Sequence, residues 1–140
     1  MKTAVVYYSF KGSTKRFAEN LAKERDADLF EVKEAKKRSM LGSFFSGAPA
    51  AMKQKAAALQ GDPIDLNSYD TIAMAAPIWA GFPAPAFNAI IPMLPSGKTV
   101  EVFLISGGGE TKSKDKVKAL IEKSGSIVSD ITDIKQSDIV

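Results

Sequence analysis

The sequence contains no cysteine and no histidine among its 140 residues. The absence of cysteine excludes disulfides, thiol chemistry and thiolate metal sites. The absence of histidine removes the most frequent general base and the most frequent metal ligand. Any redox chemistry must therefore come from a bound cofactor. The N-terminal residues also lack a signal-peptide pattern, because Lys2 is followed by only a short apolar run, so we expect a cytoplasmic protein.

Charged residues are absent from positions 71 to 97, a stretch long enough for a membrane span. A lipid-exposed helix could not continue through this stretch, because Gly81 and several prolines interrupt it. The prolines are Pro77, Pro83, Pro85, Pro92 and Pro95. We therefore predict a buried strand at 71–76, a loop at 77–83 and an amphipathic helix from 84 to about 94. No membrane partner is expected.

The bulk composition is that of an ordinary globular protein, with 45% hydrophobic and 25% charged residues. A chain of this size predicts a single domain over residues 1–140. The net charge is +3, and the lysines are spread over several predicted helices. The basic run at 33–38 is short, and we interpret it as solvated surface. Nucleic acid is therefore not an expected partner.

Apolar runs at 4–8, 28–33, 71–76, 100–105 and 126–134 predict five strands. The last of these runs is the most polar, which favours a strand at the edge of a sheet. Between the strands lie helical patterns, one following residue 14, one from Pro49 to about residue 60, one over 84–94 and one over 113–124. This alternation predicts an α/β fold, a doubly wound parallel sheet with helices on both faces.

The first strand runs directly into a hydroxyl-rich loop and then into the first helix. A strand, a hydroxyl loop and a helix N-terminus together form a phosphate cradle, because free backbone N–H groups and the positive end of the helix dipole converge there. The alternative is an ordinary strand-turn-helix junction. The candidate residues of this first loop are Ser9, Phe10, Lys11, Gly12, Ser13 and Thr14.

The first loop fits neither common nucleotide-binding pattern. The Walker pattern requires Gly-Lys-Ser/Thr at the helix start, and this loop has Gly12-Ser13-Thr14. No Gly-x-Gly-x-x-Gly follows a strand either. A hydroxyl-lined loop with a single glycine suits a terminal phosphate monoester better than a pyrophosphate.

At this loop the chain resembles the flavodoxin family, whose first loop follows Ser/Thr-x-Thr-Gly-x-Thr. Ser9, Gly12 and Thr14 fall on that pattern, while Lys11 stands where threonine is usual. The resemblance implies a short-chain flavodoxin-like sandwich with a five-stranded parallel sheet of order 2-1-3-4-5. It also implies that this loop binds the phosphate of FMN. In that order, the ends of the first, third and fourth strands surround one crevice.

The loop after the third predicted strand contains the only tryptophan of the chain, Trp79. An indole here can lie against a flat heteroaromatic ring. The residues Trp79-Ala80-Gly81-Phe82 fit a type II turn with Gly81 at the position of positive φ. The alternative places Trp79 in the core. In the family this loop contacts the flavin edge, so the candidate residues are Pro77, Ile78, Trp79, Ala80, Gly81 and Phe82.

The loop after the fourth predicted strand carries three consecutive glycines. A close approach of the backbone to a ligand would explain this composition, since glycine has no Cβ to clash. The alternative is a flexible connection. In the family this loop meets the pyrimidine side of the flavin, so the candidate residues are Ser106, Gly107, Gly108 and Gly109.

The function implied by the resemblance is electron transfer through non-covalently bound FMN. The partner would be a redox protein or a small-molecule electron donor or acceptor, and no side chain acts as a catalytic or metal-binding group. The resemblance favours a carrier over a self-contained oxidoreductase. Two alternatives stay open. One is an FMN-dependent NAD(P)H:quinone or flavin oxidoreductase, and the other is a non-redox phosphate-binding domain on the same fold.

Overall fold

The computed structural model describes residues 2–140, apart from the side chains of Met40 and Phe44. Five parallel strands form a sheet of order β2-β1-β3-β5-β6, and a short β4 pairs antiparallel with the end of β3. The strands are β1 (Thr3–Tyr7), β2 (Asp28–Glu31), β3 (Thr71–Trp79), β4 (Phe82–Pro83), β5 (Thr99–Ser106) and β6 (Ile127–Lys135). The parallel sheet predicted from the alternation of strands and helices is confirmed, as are the strand order implied by the family resemblance and the edge position of the last strand.

The helices connect these strands. They are α1 (Ser13–Arg25), α2 (Met40–Gly42), α3 (Ala48–Met52), α4 (Pro85–Ile90) and α5 (Lys114–Glu122). A single π-helical turn (Ser43–Gly47) joins α2 to α3. Short 3₁₀ turns follow α4 (Ile91–Met93) and β6 (Gln136–Asp138).

The sheet separates two apolar clusters, because successive strand side chains point to opposite faces. Val5 and Phe103 face the cluster that α1 covers through Leu21. Val6 faces the opposite cluster, which includes Phe87 of α4 together with residues of α5. Both faces of the central strands are buried, which explains why these strands are nearly all apolar in sequence.

The predicted loop at 77–83 is wrong in its boundaries. Residues 77–79 continue β3, and Pro77 lies opposite Ile105 of β5. The chain then reverses, so that Trp79 pairs with Phe82 and Ile78 pairs with Pro83. The prolines did not end the strand because this end of β3 pairs with only two residues of β4, which leaves positions where no N–H donor is required.

The predicted helix from Pro49 to about residue 60 is also wrong in its boundaries. The helical segment starts earlier, because the Ser39 hydroxyl accepts a hydrogen bond from the Gly42 N–H at 3.0 Å and caps α2. It ends at Met52, and Gln54 then adopts a left-handed conformation with φ 53°. Residues 58–60 instead pair with residues 33–35 beyond the end of β2.

Within residues 2–140, none of the helices combines the length and the apolar character that crossing a bilayer requires. The uncharged stretch 71–97 is accordingly divided among β3, β4, α4 and the 3₁₀ turn after it.

Candidate functional site

The carboxyl ends of β1, β3 and β5 lie around one cavity of about 290 Å³. The loops after these three strands provide most of its wall, and the remaining contributions come from the π-helical turn and from the 3₁₀ turn after β6. The lining residues are Ser9, Phe10, Lys11, Ser13, Thr14, Ser43, Pro77, Ile78, Trp79, Ile105, Ser106, Gly107 and Gln136.

The first loop forms the phosphate-compatible wall of the cavity. The Ser9 hydroxyl accepts a hydrogen bond from the Gly12 N–H at 3.1 Å, which folds the loop back onto the end of β1. Helix α1 begins at Ser13, and no side chain caps its first turn. Thr14 is 2% exposed and borders the cavity. The uncapped N–H groups and the helix dipole therefore favour an anion at this wall.

The turn after β3 is a type I′ turn, so the type II turn predicted from the sequence is wrong. Ala80 has φ 51° and Gly81 has φ 86°, both in the left-handed region. Two-residue connections between antiparallel strands favour this geometry, since its twist matches that of the strands. Ala80 is the strained position, because a left-handed conformation costs a non-glycine residue about 1–2 kcal/mol.

Trp79 is half-buried and lines the cavity. Tyr8 and Phe10 meet its ring in edge-to-face contacts, with ring centroids 6.1 and 5.4 Å away. Such pairs contribute about 0.5–1.5 kcal/mol beyond simple burial. Gly47 lies so close that a Cβ there would fall 2.7 Å from Cζ3 of the indole. The indole is thus fixed by Tyr8 and Phe10, which follow β1, and by Gly47 of the π-helical turn.

An ion pair between a buried carboxylate and a partly buried guanidinium supports this arrangement from the connection after β2. Glu34 is 8% exposed and accepts hydrogen bonds from the Tyr8 hydroxyl and from Arg38 Nε, each at 2.8 Å. Arg38 Nη1 donates to the Ser46 hydroxyl at 2.7 Å, and its guanidinium carbon lies 5.9 Å from the Trp79 ring centroid. Burial and the hydrogen bond to Glu34 raise the pKa of Tyr8. The prediction that the run 33–38 is all solvated surface is therefore wrong at Glu34 and Arg38.

The type I′ turn contacts helix α5 and the residue that precedes it. The buried Ser113 hydroxyl donates to the Gly81 carbonyl at 2.6 Å. Lys116 Nζ lies 5.6 Å from the Phe82 ring centroid. Ser113 was not among the predicted site residues. The sequence around it contains no pattern that predicts a hydrogen bond to a turn so distant along the chain.

The glycine loop after β5 leaves free space at the cavity edge. The Ser106 hydroxyl accepts a hydrogen bond from the Gly109 N–H at 2.9 Å, which closes the loop. At Gly107 and Gly108 an added Cβ would meet no described atom within 4 Å. Packing among the described residues therefore does not require glycine at these two positions, and at Gly107, which borders the cavity, the open space is available to a ligand. Gly109 differs, because a Cβ there would lie 3.0 Å from Lys135 Cβ.

A polar cluster joins the end of the glycine loop to β6. Asp133 accepts a hydrogen bond from the Thr111 hydroxyl at 2.7 Å and pairs with Lys114 Nζ at 2.7 Å. Burial alone would raise the pKa of Asp133, but its hydrogen bonds with Lys114 and Thr111 outweigh burial and hold this pKa below its usual range. The charged form of Asp133 therefore stabilises the base of the loop.

Most of the predicted site residues line the one cavity, and six do not. Those that border it are Ser9, Phe10, Lys11, Ser13, Thr14, Pro77, Ile78, Trp79, Ser106 and Gly107. Those that lie in the same loops without bordering it are Gly12, Ala80, Gly81, Phe82, Gly108 and Gly109.

Three lining residues were not predicted from the sequence, namely Ser43, Ile105 and Gln136. Ile105 directly precedes Ser106 and could have been included as the last apolar residue of its strand. Ser43 and Gln136 reach the cavity from segments that no pattern connected to the site.

Comparison with known proteins places this geometry in a family. A family model for flavodoxins matches residues 2–130. The chain is 27% identical to a flavoprotein from Lactobacillus acidophilus NCFM solved in complex with FMN, with a TM-score of 0.77 over 93% of this chain and 91% of that one. The apo form of a flavoprotein from the same organism, solved by NMR, is 27% identical, with a TM-score of 0.68 over 98% and 95% of the two chains.

A more distant similarity concerns the fold alone. Two-electron reduced flavodoxin from Megasphaera elsdenii is 21% identical, with a TM-score of 0.52 over 93% of this chain and 83% of that one. No curated protein is significantly similar in sequence. The family match spans nearly the whole chain, and the sheet order agrees with it. The chain belongs to the flavodoxin family.

Proposed function

We propose that the protein binds FMN non-covalently in the cavity at the ends of β1, β3 and β5 and transfers electrons through it. The observation that carries this proposal is that the hydroxyl loop, the single indole and the glycine loop border the same cavity. FMN supplies the redox chemistry when bound. The residues of the chain bind it, orient it and control its access to solvent and partners.

The residues present fit the two parts of FMN. Thr14, Ser13 and the uncapped first turn of α1 offer hydroxyl and N–H donors to a phosphate. Trp79 offers an aromatic surface, and Gly107 leaves space for a flat ring at the opposite loop. The complex of the Lactobacillus acidophilus flavoprotein with FMN also supports the assignment.

Uptake of FMN is the direct test. The purified protein is mixed with excess FMN, desalted and examined by visible absorption. We expect about one flavin per chain, and Thr14→Val should lower the FMN affinity by about fivefold, since the net contribution of one hydrogen bond is roughly 0.5–1.5 kcal/mol. Thr99→Val, at the opposite end of β5, is the matched control. A colourless wild-type protein after desalting would reject the proposal.

A second candidate function is an FMN-dependent oxidoreductase acting on NAD(P)H and a quinone or a second flavin. It is favoured by the wall of the cavity on the β5 side, where the described lining consists of Ile105, Ser106 and Gly107 without an aromatic ring. Such a wall leaves room for a small substrate beside the flavin. Rapid oxidation of NADH or NADPH with a quinone would favour the enzyme. Reduction only through a separate reductase would favour the carrier.

The charge of the site leads to an expectation about the redox potential. Lys11 borders the cavity, and two exposed lysines follow its loops, Lys15 after the hydroxyl loop and Lys112 after the glycine loop, opposed mainly by the exposed Glu110. A positive surrounding favours the reduced anionic flavin, so we expect the potential of the reduced couple to lie above that of acidic flavodoxins. Potentiometric titration of the FMN complex measures it. A potential as low as in an acidic flavodoxin would contradict this expectation.

A further inference from the structure

A second cavity of about 510 Å³ adjoins the proposed FMN cavity. The two cavities share Ser9, Phe10 and Lys11 as a common wall. The opposite wall comes from the end of β2 and the chain that follows it, and none of its residues borders the proposed FMN cavity. Its residues are Glu31, Lys33, Glu34, Lys37 and Arg38, with Gln60 and Tyr8 completing the lining.

The positive charges of this cavity exceed its available negative charges. Glu34 is buried, and its carboxylate is engaged by Arg38 and by the Tyr8 hydroxyl. In contrast, the three lysines of the cavity are exposed, and none of them forms an ion pair within residues 2–140. They are Lys11, Lys33 and Lys37.

The remaining carboxylate, Glu31, lies at the end of β2. Burial of the Tyr7 phenol, together with the nearby negative charge of Glu31, raises the pKa of Tyr7 to about 12. One carboxylate at the edge cannot neutralise three lysines. The cavity therefore attracts anions, most strongly at low ionic strength.

The wall of the cavity is fixed in place by hydrogen bonds. Arg38 is held through Nε by Glu34 and through Nη1 by Ser46, and its other N–H groups remain available as donors. Gln60 Nε2 donates to the Glu34 carbonyl at 3.1 Å, and the Gln60 N–H donates to the Lys33 carbonyl at 2.8 Å. A guanidinium held in this way is suited to phosphate or carboxylate groups.

We propose that this second cavity binds a small molecule that carries two or more anionic groups. Such a ligand would lie beside FMN, across the wall formed by Ser9, Phe10 and Lys11. This placement relative to FMN rests on the proposed function. The anion site itself rests only on the second cavity and its charges. The volume admits a small molecule with several charged groups, whereas a single chloride would leave most of the cavity empty.

The test is an isothermal titration of the FMN-loaded protein with inorganic pyrophosphate in a buffer of low ionic strength. We expect saturable binding without release of FMN, as followed by flavin absorbance. The variant Lys33→Ala/Lys37→Ala should weaken this binding by about tenfold or more, because two charge-assisted contacts are lost. Citrate in a parallel titration distinguishes carboxylates from phosphates as the recognised groups, and lysine-dependent binding of either one supports the site.

The matched control is Lys23→Ala/Lys36→Ala, which removes the same charge at two exposed lysines outside the cavity. Equal weakening in both double variants would overturn the proposal, since only net charge would then matter. Displacement of FMN by pyrophosphate, or no binding of either anion at millimolar concentration, would also overturn it. If the protein takes up no FMN, the same titrations on the ligand-free protein decide the anion site separately from the proposed function.

Discussion

The hydroxyl loop and the Trp79 turn lie at the same edge of the sheet, but they are held there in different ways. The hydroxyl loop is fixed by its own neighbours, since the Gly12 N–H bonds to Ser9 and the Gly12 carbonyl accepts the Arg16 N–H at 3.1 Å. Trp79 is positioned by segments far away in the chain. They include Tyr8 and Phe10 of the first loop region, Arg38 and Gly47 of the β2–β3 connection, and Ser113 before α5.

This contrast implies that the phosphate-compatible wall and the ring-compatible wall respond to different substitutions. Riboflavin, which lacks the phosphate, separates the two experimentally. A change at Thr14 should alter FMN affinity and leave riboflavin affinity nearly unchanged. A change that moves Trp79 should weaken both ligands equally.

The largest effect is expected for Trp79→Ala. Loss of the indole should weaken both FMN and riboflavin more than tenfold, roughly 1.4 kcal/mol, because the aromatic surface of the cavity is removed. Fluorescence titration of each flavin measures the two affinities. Unchanged affinities would remove Trp79 from the site, and a loss for FMN alone would break the division between the two walls.

The next effect is expected for Gly47→Ala. An added Cβ would lie 2.7 Å from Cζ3 of Trp79, so the indole or the π-helical turn must move. Forced overpacking of this kind lowers the free energy of unfolding by about 1–3 kcal/mol, and the better helix propensity of alanine offsets about 1 kcal/mol of that loss. Riboflavin affinity should fall by about fivefold, since the ring wall is displaced.

Gly42→Ala is the matched control for Gly47→Ala. Gly42 lies in the same helical segment, and the nearest atom to its added Cβ is the Ser39 Oγ at 3.4 Å. This variant should gain stability in urea unfolding and keep its flavin affinity. If both glycine variants behave alike, the contact of Gly47 with Trp79 does not position the ring.

These two regions also differ in how far the sequence predicts them. The first loop could be predicted because its geometry follows from a local order of strand, hydroxyls, glycine and helix. The alternation of strands and helices followed in the same way from apolar runs and helical spacing, whereas the strand order came from the resemblance to the flavodoxin family. The turn type at Ala80 could not be predicted from the sequence. A two-residue hairpin requires β4, and the pairing of Phe82 with Trp79 that forms β4 is visible only in the folded chain.

The β2–β3 connection was predicted least well. Glu34 lies in a run of charges that resembles solvated surface, yet it is buried by Tyr8 and Arg38. The helical segment from 40 to 52 carries exposed apolar side chains, with Phe45 79% exposed, so apolar spacing gave no reliable register. Which face of such a segment meets the sheet depends on the rest of the fold.

A moderate effect is expected for Asp133→Asn at the base of the glycine loop. The pKa of Asp133 is held below its ordinary value of 3.8, so its charge stabilises the folded state above that pH and loses this effect as the pH falls through the folded pKa. Near pH 6 the variant should lose about 1 kcal/mol of unfolding free energy. The difference from wild type should shrink below about pH 4.

Asp130→Asn, at an exposed position of the same strand, is the control for Asp133→Asn. Urea unfolding at a series of pH values measures both variants. A difference for Asp133→Asn that stays constant from pH 6 to about pH 3 would contradict the role given to its charge.

The smallest effect is expected for Ala80→Gly. Glycine removes the strain of a left-handed alanine, and the entropy lost by glycine on folding offsets part of the gain, so stability should rise by about 0.5 kcal/mol. Ala56→Gly, at an exposed position without a positive φ, should instead lower stability slightly. Thermal unfolding measures the stability of both variants. A loss of stability in Ala80→Gly would contradict the proposed strain at Ala80.

The amide ¹H–¹⁵N spectrum of the labelled protein with and without FMN tests directly whether the three loops share one flavin cavity. If FMN lies between walls held by different parts of the chain, amide signals of residues 12–14, 79–81, 106–108 and 43–47 should shift together and saturate at one flavin per chain. Shifts confined to the hydroxyl loop, or located outside these segments, would contradict the shared cavity as the flavin site.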